Sequence, residues 1–212
     1  MRFFRPGQQF SLMLLVIGLS LAATIRPLSG LASEALKITP QPQQTMLVAA
    51  ESIVLEKEGI VLKILPRARY EITARVLHSQ PYSDWQATFV PVDVALGWGR
   101  IGNPVVDKGI EWWQEGRWYF YQPRNTSLSK KYIREHSANV HPIPASEMVA
   151  AALRQLKAND MVVMSGLLVD VEADYAGHTY QFFTSLTRLD EGDASCEIFY
   201  VERIVVNGTA IR

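Results

Sequence analysis

Within one short stretch, His136-Ser137-Ala138-Asn139-Val140-His141, the chain gathers two imidazoles, a hydroxyl and an amide. Histidine is the usual side chain for proton transfer near neutral pH and a common metal ligand. Pro142 and Pro144 follow, and prolines stiffen an extended segment that could hold such groups in place. The spacing does not put His136 and His141 on one helical face, unlike the paired histidines of H-E-x-x-H. On this reading His136 or His141 is the candidate base of a small hydrolase, with or without a metal. Ser137 and Asn139 are candidate binding groups. The same residues also suit an irregular structural loop in which Ser137 and Asn139 satisfy backbone groups.

Four other features bear on chemistry. In Asp93-Val-Ala-Leu-Gly-Trp-Gly99 two glycines flank Trp98, so the indole is either a ligand platform on a tight loop or a core side chain at a turn. Arg188 could bind an anion, or pair with Glu197 across a hairpin. Asp190, Glu191 and Asp193 are weak candidates for a hard cation, since Ca²⁺ takes carboxylate oxygens. They do not follow the EF-hand pattern, and an acidic β-turn explains them equally. Cys196, the single cysteine, is either a nucleophile with a histidine partner or a small hydrophobe beside Ile198 and Tyr200. No G-x-S-x-G, glycine-rich phosphate loop, C-x-x-C or H-E-x-x-H occurs, so no nucleotide or other cofactor is implied.

The elements that must carry these groups read mostly as strands. Tyr70, Ile72, Ala74 and Val76 alternate with Glu71, Thr73 and Arg75, the period-2 pattern of a half-buried strand. Strands are also expected at 52–56 and 60–65 around Lys57-Glu58-Gly59. Trp85–Ala95 reads as an extended segment interrupted by Pro91, hence an edge or bulged strand. Hairpins are expected about Glu115-Gly116 and about Asp174-Tyr175-Ala176-Gly177. Residues 195–206 close the domain. A helix is expected over Ser146–Leu156, with Ser146 as N-cap and Val149, Leu153 and Leu156 on one face. A second short helix is expected over 128–135. Gly166 sits inside the strand 161–172, where a glycine lets a sheet bend sharply. The fold class is therefore mainly β with minor α: one antiparallel, barrel-like domain with one or two short helices. The 161–187 region resembles strands of small barrels such as the OB-fold.

Bulk properties narrow the function. Of 212 residues, 48% are hydrophobic and 20% charged, a globular composition. Twenty-one basic residues balance 21 acidic ones. A protein that grips nucleic acid through phosphates usually carries a basic excess, so composition argues against that partner. With one cysteine no internal disulfide can form.

The N-terminus reads as an export signal. Arg2 and Arg5 precede an uncharged run from Phe10 to Ile25, followed by Arg26, Pro27 and small residues. At ~1.5 Å per residue that run spans about 24 Å, short of the ~30 Å hydrocarbon core. Cleavage fits after Ala22, Ala32 or Ala35, and Ala32 is preferred because Pro27 ends the helix just upstream. The alternative is an uncleaved anchor holding residues 10–25 in the membrane. Residues 1–32 are thus signal peptide or signal anchor, 33–50 a linker, and 51–212 the β-rich domain.

Residues 60–205, through DVALGWG, HSANVHPIPA, SGLLVDVEADYAGHTYQFFTSLTR and SCEIFYVE, resemble a family of uncharacterised bacterial exported proteins. The resemblance implies a bacterial, periplasmic setting and transfers no catalytic residue. The expectation is an exported binding or accessory module, in the periplasm or at the outer face of the inner membrane. The alternatives are a small His-dependent hydrolase and a structural envelope or secretion component.

Overall fold

The computed structural model describes residues 38–188, 192 and 195–211. The export segment and the cation candidates Asp190, Glu191 and Asp193 lie outside the described residues. Among the described residues no helix is long and apolar enough to cross a membrane.

Eleven strands and three short helices follow in order. They are β1 (Gln43–Met46), β2 (Ile53–Lys57), β3 (Ile60–Pro81), β4 (Val92–Gly97), α1 (Pro104–Asp107), β5 (Ile110–Glu115) and β6 (Trp118–Pro123). Then come α2 (Lys130–Glu135), β7 (Ser137–Pro144), α3 (Glu147–Arg154), β8 (Met161–Tyr175), β9 (His178–Phe182), β10 (Glu197–Val206) and β11 (Thr209–Ile211). The class is mainly β, as the alternating pattern requires.

Five strands close into a ring in the order β3-β4-β7-β10-β8 and back to β3. All its pairings are antiparallel except β7 with β10, which is parallel. Closure is feasible because β3 is 22 residues long and bends. It pairs with β8 along residues 61–75 and with β4 along 75–81. A bulge between Pro66 and Ala68 inverts its faces. Beyond the bulge Tyr70, Ile72, Ala74 and Val76 point into the ring, against Leu96, Val140, Met164 and Phe199. Before it, Ile60, Leu62 and Ile64 join a second cluster outside the ring, with Val169, Val171, Ile143 and Ile198.

Gly166 sits at the bulge of β10 between Val201 and Arg203. A Cβ there would lie 2.0 Å from the Tyr200 carbonyl oxygen, so only glycine admits this approach. Helix α3 begins as expected, Ser146 Oγ accepting from Val149 N at 3.3 Å, and buries Val149 and Leu153 against the interior cluster. Tight two-residue turns with positive φ join the hairpins at Glu58-Gly59, Gly116-Arg117, Ala176-Gly177 and Asn207-Gly208, the geometry that matches strand twist.

Three expectations change. Part of the 33–50 linker is ordered sheet: β1 pairs with residues 68–71 of β3, and Thr39 bridges Gly99. Trp85–Ala95 is not one edge strand. Trp85–Thr88 forms a 3-10 turn capped by Asp84, and β4 starts only after Pro91, because proline cannot donate to a ladder flanked on both sides. The 136–144 segment is not an irregular loop. Residues 137–144 form β7, between β4 and β10.

Candidate functional site

Strand periodicity decides which groups meet. On β7 the residues Ala138 and Val140 face the ring interior, so Ser137, Asn139, His141 and Ile143 face outward. His136 precedes the strand and caps α2 instead. His136 stacks on Tyr132 at the end of α2 while His141 lies on the outer face of β7, so the two histidines do not act together.

On the outer face, β4, β7 and the residue ahead of β10 bring Asp93, His141 and Cys196 together. Val94 pairs with Val140, which sets Asp93 beside His141 one step further along, and Ile198 pairs with His141. His141 Nδ1 donates to Asp93 Oδ1 at 2.8 Å. The Asp93 carboxylate is fully buried and the His141 side chain 18% exposed. The Cys196 thiol lies near the same imidazole and helps to raise its pKa. Asn139 Nδ2 donates to Cys196 Sγ at 3.7 Å and to the Arg117 carbonyl at 2.9 Å. Gln114 in turn donates to Asn139 Oδ1 and meets His78 Nδ1 at 3.0 Å. A polar chain thus crosses an otherwise apolar face, each group held by the next.

Arg117 completes the network. It occupies the Gly116-Arg117 turn with φ of 66°, a strained conformation for a side-chain-bearing residue. From there Nη1 reaches Asp93 Oδ1 at 3.2 Å and Nη2 reaches Asp84 Oδ1 at 2.7 Å. Its guanidinium lies 4.2 Å over the Tyr82 ring. Burial, and then the nearby Asp93 charge, raise the Tyr82 phenol above its ordinary range. Burial also pushes Tyr119 up to about 12. For His141, burial disfavours the charged ring. The hydrogen bonds to Asp93 and Cys196 outweigh that and push it up to about 9, so the ring is an imidazolium at neutral pH.

This face floors a pocket of about 470 Å³. Trp85, Phe89, Trp118, Phe182 and Phe183 wall it, with Leu62, Ile143, Val171 and Ile198. Arg117, His141, Gln181 and Cys196 supply the polar lining. Trp85 stacks on Tyr175 at 4.9 Å, which fixes one wall. A nucleophile, a base and a group orienting the base, set beside an apolar cavity, can perform nucleophilic chemistry on a carbonyl.

The other candidates lie elsewhere. Trp98 is fully buried, with Nε1 donating to Gln41 Oε1 at 2.8 Å, and so is a core side chain and not a platform. Arg188 pairs with buried Glu197 at 2.7 Å and bonds Tyr70 Oη at 3.0 Å, the expected Glu197 pairing made from the segment between β9 and β10. Its guanidinium carbon lies 5.9 Å from the Trp98 ring centre. Burial, then the Glu197 charge, raise the Tyr70 phenol. His136 stacks on Tyr132 at 3.8 Å and bonds its carbonyl oxygen at 2.9 Å. Ser137 Oγ donates to the Ile133 carbonyl at 2.7 Å. Of the sequence-selected groups, His141, Asn139 and Cys196 belong to the pocket network.

Asp93 and Arg117 escaped sequence reasoning as site residues. Asp93 is 48 positions from His141, and no spacing rule links them. Among the described residues no cluster of three or more His, Cys, Asp or Glu could hold a metal ion. Comparison with protein families, with curated proteins and with solved structures found no match.

Proposed function

We propose that this protein is an exported bacterial binding module whose pocket holds a ligand with an apolar body and one polar group. The observation that carries the reading is the pocket: about 470 Å³, walled by aromatic and aliphatic side chains, with a few polar groups on its lining. Small-molecule sites are commonly built this way. The neutral net charge favours such a ligand over a polyanion. The export part rests on Arg2, Arg5, the uncharged run 10–25 and the small residues after it. It puts binding in the periplasm or at the outer face of the inner membrane.

We read the closed ring as a small barrel of the OB type. Five strands, closure between the first and fourth, and α3 between the third and fourth support this. OB-folds bind ligands on the face of their second and third strands. Here those are β4 and β7, which carry Asp93, Asn139 and His141. The argument is one of fold analogy, secondary to the pocket.

Titration with the fluorescent apolar anion 1-anilinonaphthalene-8-sulfonate tests the reading. Saturable binding at one site is expected. Phe183→Ala and Trp118→Ala should each weaken it about tenfold, ~1.4 kcal/mol. Binding that does not saturate, or that ignores both substitutions, would sink the proposal.

A further inference from the structure

We propose that the same pocket is an acyl-transfer active site in which Cys196 is the nucleophile, His141 its acid and base, and Asp93 the positioning residue. The substrate class is an ester or thioester of an apolar acyl group. The inference rests on the pocket binding an apolar ligand, as argued above.

Three arrangements support it. Cys196 and His141 line one cavity, with His141 beside Ile198, two residues past the cysteine. Asn139 Nδ2 points a donor at Sγ from 3.7 Å. Asp93, fully buried and also held by Arg117, fixes the imidazole through Nδ1 at 2.8 Å. A cysteine serving only as a small hydrophobe would be surrounded by apolar atoms. This one is half-buried and faces an imidazole and an amide donor. A thiolate beside an imidazolium is stabilised and nucleophilic, and His141 pushed up to about 9 supplies that cation at neutral pH. The walls are aromatic and aliphatic, so an apolar acyl group is favoured.

The chemistry balances without any added reagent. The Cys196 thiolate attacks the acyl carbonyl carbon, forming a C–S bond and moving the carbonyl electron pair onto oxygen. Collapse breaks the bond to the leaving alcohol or thiol, which takes the proton from His141. The neutral imidazole then removes a proton from water or an acceptor alcohol. That oxygen attacks the thioester carbon, the C–S bond breaks, and the thiolate–imidazolium pair is restored.

Two measurements on the full-length protein test this. The first is the rate of iodoacetamide alkylation of Cys196 against pH. An ordinary thiol with a pKa of about 8.5 loses roughly 200-fold between pH 9 and pH 6. The wild-type protein should lose less than about threefold, and His141→Asn should regain the ordinary profile. Asp93→Asn should fall between them. Should either variant fail to fold, the wild-type profile still decides. The second uses p-nitrophenyl hexanoate. A burst of one nitrophenolate per chain is expected, with a hydroxylamine-labile hexanoyl group on Cys196 by mass spectrometry and none on Cys196→Ser. An ordinary wild-type pH profile, or no acyl group on Cys196, overturns the nucleophile assignment while anilinonaphthalene binding, and so the pocket, stands. Loss of saturable probe binding by the wild-type protein removes the pocket reading, and this assignment with it.

Discussion

His141 Nδ1 lies 2.8 Å from Oδ1 of Asp93, across neighbouring strands of a closed ring, with the carboxylate shut away from solvent. The contact fixes the ring's orientation and its charge, and from it follows a dependence of stability on pH. Folding raises the His141 pKa from about 6.5 to about 9. The folded state therefore binds more protons than the unfolded one in that window. This stabilisation is complete below pH 6.5 and lost as pH climbs through 9. Urea denaturation of the wild-type protein between pH 6 and pH 10 measures it. A flat profile there contradicts the raised pKa, and Asp93→Asn should flatten it.

Arg117→Gly separates strain from pairing. Glycine relieves the positive φ, worth about 1–2 kcal/mol. It also strips the guanidinium from fully buried Asp93, and breaking a buried pair costs roughly 3–5 kcal/mol. The expected net loss is about 2 kcal/mol in the denaturation free energy. A stabilised variant would mean that the Arg117–Asp93 contact contributes nothing.

Gly166 and Gly177 should respond differently to alanine. At Gly166 the new methyl meets the backbone oxygen of Tyr200, which cannot swing aside. A loss of about 3 kcal/mol is expected. At Gly177 nothing lies near a Cβ and only the φ of +79° resists, so about 1 kcal/mol is expected. Equal urea midpoints for the two variants would refute the close approach of β8 and β10.

Trp98 and Arg188 should affect folding but not binding. Trp98→Ala empties a fully buried site and should cost about 3–5 kcal/mol. Arg188→Gln removes the cation facing buried Glu197 and should cost about 3 kcal/mol. Anilinonaphthalene affinity, measured where both variants remain folded, should stay within about twofold of wild type. A larger change would return these residues to the binding surface.

The proposed export predicts a mature protein starting at Ser33. N-terminal sequencing of the protein recovered from a bacterial envelope checks it, and an intact Met1 would favour the anchor instead.

Much of the fold was legible because its signals are local. Ser146 and the Val149–Leu153 spacing specify α3. Alternation from Tyr70 to Val76 specifies one face of β3. Glu115-Gly116 and Ala176-Gly177 mark their hairpins. The 136–144 segment was misread because two prolines and a cluster of polar residues look like loop chemistry. Yet Pro142 and Pro144 both lie within β7, past the end of its pairing with β4, where only β10 flanks them. Trp98 was ambiguous because flanking glycines suit a display loop and a tight core turn equally.

By itself the sequence determined the β class, the hairpins, the helix α3 and the absence of any nucleotide or metalloprotease motif. Each follows from residues a few positions apart, where propensity and periodicity act. Which polar groups meet was decided only by the tertiary structure. Asp93 and His141 lie on β4 and β7 and Cys196 just ahead of β10, and neither their spacing nor their composition marks them as partners. Ring closure and strand register set them side by side, while His136 is held at the end of α2 against Tyr132. The contacts that His141 makes raise the imidazole's pKa against the opposing effect of burial, a property no single segment could carry.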